Sequence, residues 1–418
     1  MLFKKKSKET EDDSHIVALD IGTEFAKALI AKIDGDQLTI IGTGRARQDL
    51  GNMYSGAVAD ITGVVRNCEV ALTQAEEQAG LQARKAVVGI AGEFVKGVTS
   101  TIHYKRPYAD RNLDEAEMEV ILDKVQERAA KKAQEQIAIE TGNPDVEVKL
   151  VNSAIVGIHI DGYKVTNPIG FQGRDISIQI YTAFAPMVHI GALERVATEL
   201  DLELLAVAAE PFAVARAVLG NDGNSNFTAI LCDIGGGTTD VAVINDGGVE
   251  GTKMFGVAGR SFTKSIERDI GISYEAAERL KINIDNPRIK PSVREKLDTA
   301  VDKTLDVWMA GIELALSEFD AIDHLPNRML MCGGGSSLNR LIDRLSSSDW
   351  CRDLPFTKHP SVHLVTPADV VGIDDETGDV NDHTMITAMG LLRVGYDTMI
   401  GTSDDDSMKN KFAKMLRI

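Results

Sequence analysis

Three short glycine-rich segments contain the residues of this sequence that are best suited to bind phosphate. They are residues 20–23 (DIGT), 233–240 (DIGGGTTD) and 333–337 (GGGSS), and each follows an apolar, strand-like run. Glycine lets backbone N–H groups approach phosphate oxygens without a Cβ in the way. DIGT or GGG alone is more often an ordinary turn, whereas DIGGGTTD is more specific. The ordered set of three therefore predicts a phosphate and nucleoside site.

Two aspartates stand at the ends of the first two strands. Asp20 and Asp233 suit a hydrated Mg²⁺ that bridges two phosphates. The third segment allows a nucleoside to approach where a strand meets a helix. The predicted cofactor contacts, beside the two aspartates, are Gly22, Thr23, Gly235, Gly236, Gly237, Thr238, Thr239, Asp240, Gly333, Gly334, Gly335 and Ser336.

The elements that position these segments form a repeated pattern. Strands are predicted at 15–19 and 26–33 around the first segment, and at 227–232 and 241–244 around the second. Two strand–loop–strand units indicate an internal duplication that places two phosphate loops across a cleft. A helix is predicted over 61–79, and a strand over 328–332 leads into the third segment.

The remaining chain divides into segments of different character. Residues 83–184 combine strand patterns with one long charged helix pattern over 113–139, which indicates a small α+β insert. Glu210-Pro211 opens a helix, as proline suits a first helical turn. Residues 260–324 are mostly helical, and a last helix pattern covers 384–394.

The three loops resemble those of the actin, sugar-kinase and heat-shock-chaperone ATPase superfamily. This resemblance implies ATP and Mg²⁺ as cofactors. Glu210, in EPFAVARA, resembles the connecting motif whose acid orients the attacking water. Glu278 and Lys281, in YEAAERLK, resemble the helix that contacts the nucleoside. The alternative for this last pair is an ordinary solvated helix face.

Within that superfamily the chain is similar to the FtsA family of bacterial cell division. Residues 54–61 (YSGAVADI), 75–80 (AEEQAG) and 87–92 (VVGIAG) carry this similarity, and Glu24-Phe25 depart from the family's pattern. The resemblance implies an α/β, duplicated actin-like ATPase fold with a nucleotide cleft and a small SHS2-type insert. The domains expected from it are subdomain 1A (14–82 and 366–400), the inserted 1C (83–184), 2A (185–259 and 310–365), 2B (260–309), a linker (401–407) and a tail (408–418).

Composition limits the partners. The chain has 418 residues and a net charge of −18, which argues against nucleic acid because the body would repel phosphate backbones. Four scattered cysteines, Cys68, Cys232, Cys332 and Cys351, suggest reduced and mostly buried thiols. No run of 18 apolar residues and no signal-peptide pattern occurs, so a location inside the cell is expected.

The last eleven residues form a basic, amphipathic pattern. On a helical wheel Phe412, Met415 and Leu416 share one side, and Lys409, Lys411 and Lys414 lie on the flanks or the other side. Such a segment is too short to be stable in water but suits anionic lipid. The alternative is a frayed, solubilising tail. Residues 1–8 are also basic and are either a second lipid contact or a disordered terminus.

The resemblance implies an adaptor function more than metabolic turnover. We expect a filament-forming, ATP-binding protein with slow hydrolysis at most, on the cytoplasmic face of the cell membrane at the division site. Its expected partners are an FtsZ-like tubulin homologue, further copies of itself, other division proteins through the insert, and anionic lipid. The alternatives are a pilus assembly adaptor like PilM and a sugar-kinase-like phosphotransferase. The tail favours the first function, because neither alternative explains it.

Overall fold

The structure, a computed structural model, describes residues 14–92, 95–219, 227–319, 322–347 and 349–400. Its first elements surround the DIGT loop. In chain order they are β1 (His15–Ile21), β2 (Phe25–Asp34), β3 (Gln37–Arg47), β4 (Met53–Tyr54), β5 (Ala57–Val58), α1 (Ile61–Ala79) and β6 (Lys85–Ile90). Asp60 caps α1 by accepting a hydrogen bond from the backbone of Thr62, and Gly80 ends the helix with a positive φ of 69°. The helix predicted over 61–79 is thus confirmed.

The middle of the chain contributes the insert and the helices that follow it. These elements are β7 (Lys96–Lys105), α2 (Glu115–Thr141), β8 (Val148–Ile160), β9 (Tyr163–Val165), β10 (Asp175–Pro186), α3 (Met187–Glu199), β11 (Glu203–Ala209) and α4 (Glu210–Leu219). The helix start predicted at Glu210-Pro211 is confirmed.

The last part of the chain repeats the strand pattern of the first part. Its elements are β12 (Ala229–Ile234), β13 (Thr239–Asn245), β14 (Gly248–Phe255), α5 (Gly259–Ile270), α6 (Tyr274–Ile282), α7 (Pro291–Ser317), β15 (Arg328–Cys332), α8 (Asn339–Leu345), β16 (Ser361–Leu364), β17 (Ile373–Asp375) and α9 (Ile386–Ile400).

Two sheets contain the same five-strand arrangement. Sheet 1 has the order β11-β6-β1-β2-β3-β17, and sheet 2 has the order β16-β15-β12-β13-β14-β7-β10-β8-β9. In sheet 1 the antiparallel meander β1-β2-β3 is extended by parallel β6 and β11, and in sheet 2 the meander β12-β13-β14 is extended by parallel β15 and β16. The first two glycine loops therefore occupy equivalent turns, between β1 and β2 and between β12 and β13. The duplicated fold expected from the sequence is confirmed.

Apolar layers hold each sheet in place. Helix α1 packs on β2 and β3, and Gly44 makes this close approach possible, because a Cβ there would lie 1.7 Å from the carbonyl oxygen of Ala71. Helices α5 and α7 pack against each other beside sheet 2, with Trp308 fully buried between them and the strands. The four cysteines are buried and free, as predicted.

Two expected domain boundaries differ from the observed elements. Residues 85–90, assigned to the insert, form β6, which pairs with β1 and with β11 inside sheet 1. Because β6 is buried and is paired along both of its edges, it belongs to sheet 1 and not to the insert. The boundary placed between residues 309 and 310 falls inside the continuous helix α7. On this geometry we place the start of the insert at β7.

Candidate functional site

The three glycine loops meet at one cavity of about 570 Å³. This volume lies in the range of pockets that hold small ligands and cofactors. The cavity is lined from both halves of the molecule, the half built on sheet 1 and the half built on sheet 2. The sequence-predicted residues on its wall are Asp20, Gly22, Thr23, Glu210, Asp233, Gly235, Gly236, Thr238, Asp240, Glu278, Lys281, Gly333, Gly334 and Gly335.

Three predicted residues do not lie on the cavity wall. Thr239 is fully buried, donates its hydroxyl to the carbonyl of Val257 and accepts from the indole of Trp308. The hydroxyl of Ser336 is likewise used inside the fold, because it donates to the carbonyl of Cys332 at 2.5 Å. Gly237 lies behind the loop, against Thr23. The geometry gives Thr239 and Ser336 structural roles instead of the predicted phosphate contact and nucleoside contact, respectively.

The glycines are needed because the loops touch each other. A Cβ on Gly236 would lie 2.8 Å from the Cβ of Glu24, and one on Gly237 would lie 2.5 Å from the hydroxyl of Thr23. Gly333 has a φ of 78°, and a Cβ there would lie 2.0 Å from a carboxylate oxygen of Asp233. Contact between the loops is therefore a second reason for glycine, beside access to phosphate.

Lys27, which lies outside the three glycine motifs, also lines the cavity. Lys27 on β2 donates to Asp20 at 2.8 Å, and both side chains are largely buried. Burial acts to lower the pKa of Lys27, but the charge and hydrogen bond of Asp20 outweigh it and hold that pKa above its ordinary value. Lys27 thus keeps its charge in the cleft. Its inward position in the strand after DIGT was the signal that could have identified it.

The second loop is joined to the last helix through Asp233. Thr387, near the start of α9, donates its hydroxyl to the carboxylate of Asp233. Burial raises the pKa of Asp233, and the hydrogen bond from Thr387 only partly opposes this. Thr387 also lines the cavity. Nothing in its local sequence pointed to the site, since the contact spans 154 residues.

Buried carboxyl groups crowd this part of the cavity. Burial, together with the charges of Asp20, Asp240 and Asp233, raises the pKa of Glu210 well above its ordinary value. The pKa of Asp240 is also raised well above its ordinary value, by burial and by Asp233. One buried carboxylate oxygen of Asp240 has no hydrogen-bond partner. Such a cluster favours a bound cation, because an unpaired buried charge is costly.

The donor set fits Mg²⁺ only as a hydrated ion. Within the described residues no three His, Cys, Asp or Glu side chains are close enough to hold a metal by themselves. Mg²⁺ in nucleotide sites usually keeps several waters and takes one or two carboxylates together with phosphate oxygens. Asp20 and Asp233, the two predicted ligands, line the same cavity, and so does Asp240, which has one buried oxygen without a hydrogen-bond partner.

Another part of the cavity wall is formed by residues of α5, α6 and the third glycine loop. Lys281 pairs with Glu278 at 2.8 Å and donates to the carbonyl of Gly259 at 3.0 Å and to the hydroxyl of Thr263 at 2.9 Å. Thr263 in turn donates to Glu278. The side chains of Glu278 and Lys281 are mostly buried. They therefore do not form the solvated helix face that was the alternative.

The predicted membrane residues lie outside the described part of the chain. They are Lys409, Lys411, Phe412, Lys414, Met415 and Leu416. Among the helices that the structure describes, none combines the length and apolar character needed to span a bilayer.

Two family models match parts of this sequence. The model described as "Cell division protein FtsA" matches residues 230–390, which include the second and third glycine loops and α5 to α8. A model described as "Diol dehydratase reactivase ATPase-like domain" matches residues 113–290.

Several curated proteins are similar over most of the chain. "Cell division protein FtsA" of Pseudomonas aeruginosa is 25% identical over 91% of this chain and 89% of its own length. The protein of the same description from Enterococcus faecalis is 24% identical over 88% of this chain and 84% of its own length. Among solved structures, the PilM-PilN type IV pilus biogenesis complex has a TM-score of 0.67 at 17% identity, and the match covers 92% of this chain and 99% of that one. That structural similarity supports the fold alone.

Proposed function

We propose that this chain, which is similar to FtsA cell-division proteins over most of its length, is an actin-like protein of that family and binds ATP with Mg²⁺ in the cleft between its two halves. One observation carries this proposal: two equivalent hairpin loops and a third glycine loop converge on a single cavity that contains a buried lysine. Backbone amides and hydroxyls of such loops bind phosphate, and a buried cation neutralises its charge.

The proposal assigns a role to each wall of the cavity. Gly22, Thr23, Gly235, Gly236 and Thr238 surround the phosphates, and Lys27 neutralises them. Asp20 and Asp233 would hold a hydrated Mg²⁺, and this ion would supply positive charge beside the phosphate oxygens. Residues 333–335 with Glu278 and Lys281 contact the nucleoside. Glu210, at the start of α4, orients a water for slow hydrolysis.

Titration calorimetry with ATP and Mg²⁺ tests this assignment. Asp233→Asn keeps the size of the side chain and an acceptor for Thr387 but removes its charge, so we expect affinity to fall about tenfold to a hundredfold. Gly236→Val should abolish binding, because its side chain collides with Glu24 and displaces both loops. Asp353→Ala, at an exposed position away from the cavity, is the matched control. Parental affinity in both cleft variants, with folding intact, would refute the site.

We propose that the protein functions by assembling on a membrane. The similarity to FtsA proteins supports a protein that polymerises, tethers an FtsZ-like tubulin homologue at the division site and recruits other division proteins through its insert. The basic amphipathic pattern of residues 408–418 supports attachment to anionic lipid on the cytoplasmic face.

Two other functions use the same fold. A pilus assembly adaptor like PilM agrees with the structural similarity but not with a need for a lipid-binding tail. A sugar-kinase-like phosphotransferase requires an acid poised over a sugar hydroxyl, and it leaves the basic amphipathic tail unexplained. Membrane binding by the tail therefore separates the first proposal from both alternatives.

A further inference from the structure

Glu24, which departs from the FtsA pattern, lies at the mouth of the cavity between two arginines. One carboxylate oxygen accepts a hydrogen bond from Nε of Arg47 on β3 at 2.8 Å and lies 2.7 Å from Nη2 of the same guanidinium. The other accepts a hydrogen bond from Arg260 on α5, at 2.8 Å. The first arginine belongs to the same half of the molecule as Glu24, whereas the second belongs to the opposite half. The carboxylate therefore joins the two sides of the cleft.

Arg260 makes its side-chain contacts with the half opposite its own. Besides Glu24, its guanidinium donates to the carbonyl oxygens of Leu50 at 3.4 Å and Met53 at 3.5 Å. Its backbone N–H donates to the carbonyl of Gly236 at 2.7 Å, which fixes the base of the side chain to the second phosphate loop. The start of α5 is thus tied to the β1–β2 loop and to the segment that follows β3.

The Glu24–Arg260 pair is shielded from water. The side chains of Arg260 and Glu24 are only 10% and 16% exposed, whereas Arg268, on the same helix, is 72% exposed and pairs with its neighbour Asp269. Exposed pairs contribute little because water screens them, and breaking a shielded pair leaves a poorly hydrated charge behind. Opening the cleft by separating its sides must break this contact, since its two members lie on opposite sides.

We propose that Glu24 and Arg260 form a latch that sets the rate at which nucleotide leaves the cleft. This inference rests on the proposed ATP binding, because it describes release from the same cavity. Both residues line that cavity, and Glu24 also packs against Gly236 of the second phosphate loop. The departure of Glu24 from the FtsA pattern is thereby given a function: it holds the opposite half and does not bind phosphate.

Stopped-flow displacement of a fluorescent ATP analogue by excess unlabelled ATP measures the release rate in the full chain. We expect Glu24→Gln and Arg260→Gln each to raise the dissociation rate about tenfold, with the double variant no faster than either single one. Such non-additivity is the signature of two side chains that act through one contact. Arg268→Gln, which breaks an ion pair within one half, should release the analogue at the parental rate.

Three outcomes overturn the latch. The first is a Glu24→Gln dissociation rate equal to or below the parental rate, as expected if Glu24 only repelled phosphate. The second is additive effects in the double variant, which would mean that Arg260 contacts the nucleotide independently. The third is an increase in the dissociation rate of Arg268→Gln as large as the increase in Glu24→Gln and Arg260→Gln.

A second variant keeps the test decisive if Arg260→Gln does not fold. Glu24→Asp retains the charge but is one methylene too short for the observed contact, so it should also release the analogue faster than the parent. A parental rate in Glu24→Asp and Glu24→Gln together contradicts the latch. If the parental protein does not bind the analogue, the result contradicts the proposed ATP site itself and not only the proposed latch.

Discussion

Asp20, Glu210, Asp233 and Asp240 line one cavity, and burial keeps the pKa of the last three above the ordinary range. Without a bound metal ion, Lys27 is the cation paired with Asp20, and the other carboxyl groups repel one another in a poorly hydrated space. This arrangement lowers stability and serves the proposed binding of Mg²⁺ and phosphate, a common compromise at functional sites.

Replacing Asp240 with Asn should raise the stability of the folded protein and lower its affinity for ATP. The substitution removes a buried charge whose second oxygen has no partner, so the unfolding temperature without nucleotide at pH 7.5 should rise by about 2 °C. ATP affinity should fall in the same variant, as measured by calorimetry. Asp353→Asn, at an exposed position, is the control and should change neither quantity. A lower unfolding temperature in Asp240→Asn would mean that this carboxylate stabilises the cleft.

Glu210→Gln should leave ATP binding in place and slow any hydrolysis by about a hundredfold or more, because the proposed role of Glu210 is to orient water. The variant keeps nearly the same size, so the start of α4 should be unchanged. Phosphate release in single-turnover experiments measures the rate. Hydrolysis at the parental rate would leave Glu210 as a helix-start acid without a catalytic role.

Local sequence patterns predicted the residues of the three glycine loops better than they predicted the residues that reach the cavity from distant segments of the chain. The glycines and aspartates of the three loops could be found because their spacing is short and follows strands. Thr387 could not, since its hydrogen bond to Asp233 depends on how α9 returns to the cleft. Thr239 and Ser336 stand inside the motifs, but their hydroxyls are used by Val257 and Cys332. Sequence spacing does not reveal which way a side chain faces within a tight loop.

At the scale of elements, two similar meanders present their first turns to the cavity from opposite sides. Helices α4 and α9 both begin beside that cavity and pack closely along their lengths. Gly390 allows this contact, because a Cβ there would lie 2.2 Å from the carbonyl oxygen of Ala213. Periodicity predicted most of these elements with small shifts at their ends. It did not show that β6 joins sheet 1, since strand pairing depends on residues far apart in sequence.

The revised start of the insert changes the deletion that tests it. Replacing residues 96–184 with a short flexible linker retains β6, so we expect a folded chain that binds ATP but no longer recruits partners or polymerises. Deleting residues 84–183 instead removes a paired strand of sheet 1 and should prevent folding. Circular dichroism and calorimetry distinguish these results.

Some loss of stability is expected in the shorter deletion. Tyr181 of the insert stacks on Phe212 with ring centroids 5.7 Å apart, and Asn152 accepts a hydrogen bond from the backbone of Ala209, next to Glu210. A deletion of 96–184 that folds but does not bind ATP would show that these contacts are needed to shape the cleft.

At the scale of the whole molecule, we propose that a nucleotide-binding body is joined to a lipid-binding tail. Burying Phe412, Met415 and Leu416 at the bilayer interface contributes roughly 1–2 kcal/mol each. Each lysine near an anionic surface adds about 1 kcal/mol. Ordering the segment offsets part of this sum, so a single chain should bind weakly and reversibly. A polymer presents many tails at once, and binding should therefore become firm when the chain assembles.

Sedimentation with anionic liposomes, with and without ATP and Mg²⁺, tests the central claim most directly. We predict that the full chain pellets with the liposomes, more with ATP than without, and less as salt is added. A chain truncated after Asp406 and the variant Phe412→Glu should both stay in the supernatant while still binding ATP. Equal pelleting by the truncated chain, or pelleting that neither ATP nor salt changes, would contradict an ATP-controlled polymer attached through its tail.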